Sequence, residues 1–507
     1  SPAMAQDDSA ADSDEVEVIV VTGARTEQNI EDVAGSISVM TSVDIEDQMV
    51  TDMTQLFRYE PGINVTGSNG TAQNIIVRGM GGDRVMMIKD GMRMNEGYGA
   101  DGMNDVVGRG FVDMDTIKQV EVAKGANSSL YGADALGGIV AFATKDAADL
   151  LRGDDFYASI SANTDGRSSE TGAGILTAFK LGNFETLVSF KGRDGNETQN
   201  YTDERAHAEV KSEAILFKTD YVIDDGRKLT LSADFYNEEV DRPDDGSPKG
   251  NYVGLPGWTI NLEESADEKK SSAYRLRYRD AQTGLSFIDT LDVSAYVNTT
   301  EQTNDFILNH DTPAPFGPGG SRDQIKTDLF EQDTTGVSLS AAKHLGDSGR
   351  SHLLSFGFDW DASETIRPRR EQRIQSDGTV TLDTLMAPFP KNETERLGIY
   401  LQDTIELGEN FTLIPGLRYD RYSMDPKDDE GYSNSLGDSD VAPEKISDSN
   451  VSGRVGLNYS INDNFDVYVQ YAQGFKVPPY DRAYFYFDHV AFSGNGIRIV
   501  PAADLVP

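Results

Sequence analysis

The chain's 507 residues carry five histidines (His207, His310, His344, His352 and His489), 21 tyrosines and no cysteine. Imidazole, phenol, carboxylate and the methionine thioether are therefore the groups available for metal chemistry. The absence of any thiol excludes a disulfide framework, a thiolate zinc site, a cysteine-ligated iron–sulfur cluster and a cysteine nucleophile. His489 stands out because it closes an aromatic run, Tyr484-Phe485-Tyr486-Phe487-Asp488. A neutral imidazole is a metal ligand, a phenolate is an iron ligand, and the neighbouring rings offer flat apolar surface. Taken alone, His489 reads as a solvent-exposed loop histidine and the rings as an interfacial girdle. Nothing looks catalytic: the sequence has no nucleophile elbow, His-Glu-x-x-His, phosphate-binding loop or dinucleotide fingerprint, so an enzyme is not expected. The acidic stretch 425–440 (Asp425, Asp428, Asp429, Glu430, Asp438, Asp440) fails the spacing of a calcium loop and reads as a solvated loop.

Composition narrows the class further. There are 45 basic and 85 acidic side chains, a formal net charge of −40, which argues against nucleic acid as a partner because phosphate recognition needs a basic surface. No run of 18 apolar residues exists, so no transmembrane helix is expected. That argument does not touch a membrane β-barrel, whose strands leave no long hydrophobic run.

The elements that must position these side chains fall into two regions. From about residue 24 to 150 the chain is rich in glycine and methionine, and eleven of its 13 methionines precede residue 115. Asp44 to Arg58 reads as a helix stopped by Pro61-Gly62, and Ile75–Val77, Val85–Ile88, Gln119–Val122 and Ile139–Phe142 read as short strands. This pattern predicts a mixed α+β domain. From about residue 155 the pattern changes to period two. Leu229, Leu231, Ala233 and Phe235 alternate with Thr230, Ser232 and Asp234, and Phe411 to Tyr419 and Phe465 to Tyr471 repeat the arrangement.

Alternation alone also fits a soluble sandwich. The links between strands separate the two cases. About 13 strands fit between residues 155 and 474. Links after even-numbered strands are short: Leu181–Asn183, Asp224–Gly226, Ala281–Gly284, Leu345–Ser348, Leu407–Glu409 and Asn462–Asp463. Links after odd-numbered strands, except the first, are long and polar, spanning about 194–211, 238–271, 301–325, 364–394 and 425–448. Tight turns on one side and large loops on the other are the pattern of a transmembrane barrel. The fold class predicted is membrane all-β: a large antiparallel barrel, residues 151–507, with the domain at 24–150 filling a lumen that would otherwise leak.

The N-terminus adds two features. Ala3-Met4-Ala5 matches a small-x-small cleavage pattern, and residues 1–16 read as a signal-peptide remnant followed by a disordered acidic spacer. Val18-Ile19-Val20-Val21-Thr22 is a β-branched run of strand length that could pair edge-on with another protein's sheet or open the following domain.

Several stretches carry a family resemblance. Residues 17–23 (Glu17-Val18-Ile19-Val20-Val21-Thr22-Gly23) resemble a TonB box. Ile76 to Val85, Lys89 to Arg93, Ile117 to Gly125 and Leu130 to Gly138 resemble, in order, the plug of TonB-dependent outer-membrane receptors. The resemblance implies a plug at 24–150 inside a barrel of about 22 strands when complete, in the outer membrane of a Gram-negative cell. It also implies TonB with its energising complex as partner, outer-membrane lipid around the wall, and a monomer. Arg78, Arg93 and Glu121 are candidates for docking the plug on the polar wall, with salt bridges inside the plug as the other reading.

Tyr471-Ala472-Gln473-Gly474-Phe475-Lys476-Val477-Pro478-Pro479-Tyr480-Asp481 resembles the first box of haem and haemoglobin receptors of this family. Val500 to Leu505 resembles a degenerate second box. In haem-using members a histidine between the two ligates the haem iron, and His489 sits there. The resemblance thus implies His489 as axial iron ligand, with Tyr480, Tyr484 and Tyr486 around the cargo. The plug region has no histidine, so Tyr98 or Met103 is left as second ligand. The implied function is TonB-dependent import of haem, extracted from haemoglobin, with haem as cargo and no intrinsic cofactor. The rival cargoes are transferrin-type iron, a ferric siderophore or cobalamin, and the rival class is a passive porin or surface adhesin. About 13 strands fall short of 22, so the chain is expected to be a fragment whose barrel cannot close alone.

Overall fold

The computed structural model describes residues 19–20, 28–29, 33, 35–97, 107–198, 208–244, 257–313, 320–347, 350–408, 410–437, 442–462, 465–488 and 498–501. No described helix is long and apolar enough to cross a membrane.

The N-terminal domain is built on a five-stranded sheet in the order Ile37–Thr41, Ile117–Lys124, Gly138–Thr144, Val85–Lys89, Met92–Arg93. A second sheet joins Ile63–Thr66, Asn74–Val77 and Met80–Gly81. Its core holds Val77, Met87, Met114, Ile117, Val120, Val122 and Val140, all buried. Unbranched methionines fill the irregular gaps between such short elements. The helix expected over 44–58 is instead two short helices, Ser42–Asp47 and Met53–Leu56. The reason is a second N-cap inside the run: Asp52 accepts from the Gln55 backbone N–H at 2.8 Å, and Met49 between the helices has φ +51°.

Thirteen strands, here called staves, form one antiparallel sheet in sequence order, from Phe156–Asp165 at one edge to Phe465–Ala472 at the other. Among the described residues these two edges are not paired with each other. The alternation runs opposite to that of a soluble protein. Leu229, Leu231, Leu417 and Tyr419 point outward and are exposed, while Thr230, Ser232, Arg418 and Asp420 are buried against the domain inside. An apolar outer face with a polar inner one is the pattern of a wall set in lipid.

The short links match the expected turns, apart from one that runs from 281 to 289. The long links are shorter than expected because the staves continue into them. The staves Thr259–Asp280, Thr290–Thr312 and Gly320–Asp347 have 22, 23 and 28 residues. A membrane crossing takes about 9–11, so these staves stand far outside it. Two of the longer links carry their own structure, a hairpin Arg369–Gln375/Val380–Met386 and a helix Glu430–Leu436. Within the acidic stretch, Asp429 caps that helix by accepting from Tyr432 N–H at 2.9 Å, and Asp425 pairs with Lys427 at 3.0 Å.

Candidate functional site

The mouth of the molecule is organised by the segment after the last stave. Phe475 N–H donates to Ser128 Oγ at 3.3 Å, Lys476 pairs with Asp134 and lies 3.4 Å from Asp83, and Tyr480 Oη donates to the Gly97 carbonyl at 3.1 Å. Three residues thus strap this external segment across the N-terminal domain. Its rings pack with those of two other links: Phe389 meets Tyr480 edge-on at 5.0 Å, and Tyr432 Oη donates to the Tyr484 carbonyl at 2.8 Å.

This packing places the three site tyrosines inside the protein. Tyr480, Tyr484 and Tyr486 are all buried rather than presented to a cargo. Tyr484 Oη donates within a protein cluster, to the Glu444 carbonyl at 3.0 Å, and burial pushes its phenol up, away from the phenolate an iron ligand needs. The accessible rings are the other parity of the run: Phe485 is half-buried, Phe487 is exposed, and the two stack at 6.5 Å. Phe487–Asp488 pairs with Arg498–Ile499, a short ladder that frames the loop between the two boxes. His489, Tyr98 and Met103 lie outside the described residues, as do Val18, Val21 and Thr22. Ile19–Val20 pairs locally with Gln28–Asn29 as a two-residue ladder, apart from the domain's sheets.

Of the three docking candidates, Arg93 reaches the wall. It bonds Asp134 at 3.1 Å inside the domain and lies 3.7 Å from Asp361 on the stave Arg350–Ile366. Arg78 does not: it is exposed, and its hydrogen bonds, to Ser36 Oγ at 2.8 Å and the Lys124 carbonyl, stay within the domain. Its φ of +48° places its backbone in the left-handed region. Glu121 is buried, accepts from Gln119 at 3.0 Å in its own strand, and borders a void between domain and wall.

The residues that carry most of the docking were not singled out from sequence. Asp361 also binds Arg396 at 3.0 Å, and Arg396 in turn pairs with Glu96 beside the apex loop. Arg418 is fully enclosed, bound to Asp359 at 2.5 Å, Asp420 at 2.8 Å and the Leu130 carbonyl of the inner domain at 2.9 Å. Lys218 holds Asp146 at 2.6 Å and Lys89 holds Asp234 at 2.7 Å. Period two would have found Arg418 and Asp420, two apart on one polar face; the partners come from distant segments that no spacing relates. At the outer rim, His310 stacks on Trp258 (ring centroids 5.9 Å apart), and Arg322 Nε donates to its Nε2 at 3.2 Å.

Asp134 joins these parts, with Lys476 of the strap on one side and Arg93 on the other. Burial alone would raise its carboxyl pKa, but Lys476 and then Arg93 outweigh that and hold it below the ordinary carboxylate range. A lowered carboxylate stabilises the folded state fully above its unfolded value of 3.8 and loses that contribution as pH falls through the lower folded value. The strap should therefore hold equally at pH 7 and pH 5. Asp134→Asn should loosen it by about 1–3 kcal/mol at both pH values, read as faster proteolysis of the inner domain. Loosening of the wild type between pH 7 and 5 would contradict this.

Comparison with known proteins agrees with this architecture. The family model described as TonB-dependent Receptor Plug Domain matches residues 29–139, and that described as TonB dependent receptor-like, beta-barrel matches 217–507. The chain is 27% identical over 475 residues to the hemin receptor of Yersinia pestis, covering 92% of this chain and 61% of that one. It is 22% identical to the hemoglobin-haptoglobin utilization protein B of Neisseria meningitidis serogroup C, covering 97% and 66%. The structure resembles the Serratia marcescens hemophore receptor HasR, solved as a double mutant with its hemophore HasA and heme. There the TM-score is 0.69 at 15% identity, covering 90% of this chain and 66% of that one. The chain thus spans a little under two thirds of the length of the Yersinia relative. With an inner domain strapped and salt-bridged to an outward-apolar wall of thirteen staves, and with the barrel family model matching more than half of its residues, the chain belongs to the TonB-dependent receptors of the outer membrane.

Proposed function

We propose that this receptor imports haem across the outer membrane, drawing it from haemoglobin or another haem-carrying protein, with energy delivered through TonB. The observation that carries the reading is the similarity, along 92% of the chain, to a protein named hemin receptor. The haemoglobin-haptoglobin relative and the two boxes around His489 support it. In this reading the strap Phe475–Tyr480 senses cargo at the apex, and His489 supplies a neutral imidazole to the haem iron. The accessible Phe485 and Phe487 rings offer the porphyrin an apolar face. Import without catalysis needs a partner that pulls, and the segment 17–23 is the handle.

Titrating the purified receptor with hemin should give a ligand-dependent absorption band that His489→Ala weakens at least tenfold. His489→Ala cells should also grow more slowly than wild type on haemoglobin as sole iron source. An unchanged band and equal growth would remove His489 from the mechanism. No band with the wild type, together with growth on a ferric siderophore, would replace haem as cargo.

A further inference from the structure

The inner domain is tied to the wall around most of the described arc, but one stretch is open. A cavity of about 270 Å³ lies between its sheet and the staves Thr259–Asp280, Thr290–Thr312, Gly320–Asp347 and Arg350–Ile366. Strand register explains why it is there. Directly paired residues place Arg275, Tyr296, Gly336 and Asp361 on one level of the inner wall. Arg277, Ser294, Ser338 and Asp359 occupy the next level towards the short links, and Asp292 and Ser340 lie below them. On the upper level the wall reaches the domain: Arg275 donates to the Asp90 carbonyl, Tyr296 Oη accepts from Arg93 N–H at 3.4 Å, and Asp361 faces Arg93. On the lower levels the two central staves carry Ser294, Ser338 and Ser340, too short to span the gap, and Asp292, whose carboxylate is taken up by Arg277.

The facing surface of the domain is largely apolar, with Met86, Ile88, Tyr131 and Phe142 in the lining. Glu121, Ala141 and Ile88 lie side by side across its sheet, with Gly91 at the edge. Arg277 does not fill the space either, because Asp292 holds its Nε at 2.9 Å. The cavity is thus a column about two ladder steps high, or about 13 Å. Its lining is mixed polar and apolar, and it is roofed by the Arg93–Asp361–Arg396–Glu96 ion pairs immediately beneath the strap.

We infer that this seam is the route by which cargo passes the inner domain, with the ion-paired level as its gate. The inference rests on the import reading given above. At about 270 Å³ the column is smaller than the roughly 300–1,000 Å³ of pockets that bury a drug-sized ligand. The domain's Asp90–Arg93 edge must therefore yield, but the domain need not leave the barrel. The gate opens when Arg93 parts from Asp361 and the neighbouring contacts at the top of the column, Tyr296 and Asn298 on the Arg93 backbone and Arg275 on the Asp90 carbonyl, yield with it.

The absence of native cysteine makes a clean test possible. Ser294→Cys and Ser338→Cys place single thiols in the column; Thr335→Cys, on the outward face of the same stave, is the control. Each full-length variant is labelled in cells with a bulky aromatic methanethiosulfonate, with and without collapse of the proton gradient, and hemin binding and uptake are measured. The adduct at 294 or 338 should cut uptake at least tenfold, leave binding unchanged, and be reversed by reductant. The control adduct should do nothing, and labelling at 338 should be at least fivefold faster in energised cells. Complete labelling at 338 with uptake intact would overturn the route. If even the unlabelled protein binds no hemin, the cargo reading fails. The labelling rate then decides the route alone: energy-dependent labelling supports it, and an equal rate with and without the gradient overturns it.

Discussion

Arg418→Ala should be the most damaging single substitution in the wall, with a loss of about 3–5 kcal/mol. The side chain is essentially enclosed and donates to three partners at once: Asp359 and Asp420 of the wall and the Leu130 carbonyl of the inner domain. Removing the guanidinium leaves two carboxylates facing each other in a water-poor space and a carbonyl without its donor. The neighbourhood is built around this group. A Cβ on Gly398 would sit 1.7 Å from Arg418 Nη2, and one on Gly132 would sit 2.7 Å from Asp420 Oδ1. Both glycines therefore make room for the fork, and Gly398→Val should reproduce much of the defect. Arg418→Lys keeps the charge but not the planar set of donors, so it should recover only part of the loss. The measurement is the denaturant midpoint of the purified protein in detergent, with the yield of folded protein in the membrane as a second readout. Alanine at 418 with an unchanged midpoint would mean that the cluster is ornamental.

Removing residues 17–23 should abolish import and leave capture of cargo at the mouth intact. Ile19–Val20 forms a two-residue ladder with Gln28–Asn29, and an isolated hairpin of that size is marginal in water. Exchanging that local partner for a strand of another protein costs little and gains a longer ladder. The strap, the ion-paired level and the Arg418 cluster are all built from residues outside 17–23, so its loss should not change binding. Uptake of labelled hemin by cells should fall to the level of cells lacking the receptor, with binding of haemoglobin to whole cells unchanged. Uptake persisting in the deletion would show that energy enters elsewhere.

Much of the architecture was legible in the residues. Period two in stretches such as Leu229–Phe235, with the short and long links sorted alternately, gave a wall of thirteen strands, and thirteen are present. The sense of the alternation came from the links rather than from the pattern. Apolar and polar residues alone do not say which face meets lipid, but sorted links predict a barrel with its polar face inward, and Thr230, Ser232, Arg418 and Asp420 are buried on that face. The Asp44–Arg58 run misled because a hydrophobic period does not show that Asp52 restarts a helix. The extent of the long links was overestimated, since polar strands standing in water, such as Glu263–Lys270, look like loop. The site was less legible. Tyr484 and Phe485 are adjacent aromatic residues of one run, and only the packing of other links decides that the tyrosine is buried and the phenylalanine left accessible. Asp134 and Lys476 are separated by 342 positions, and pairs of that kind are set by topology alone.

The height of the staves has a further consequence. At about 3.3 Å per residue, the 28-residue stave Gly320–Asp347 runs on the order of 90 Å along its length, several times what the bilayer demands. Under the proposed import of haem, a donor protein docking at the rim would be kept well above the cell surface, with a tall wall between it and the inner domain. A small molecule let go inside the top of that wall would not diffuse away freely. One molecule confined to such a space has an effective concentration on the order of millimolar or higher. In the proposed import reading, an apex site could then bind its cargo weakly and still be filled, and release it readily when the domain below is pulled.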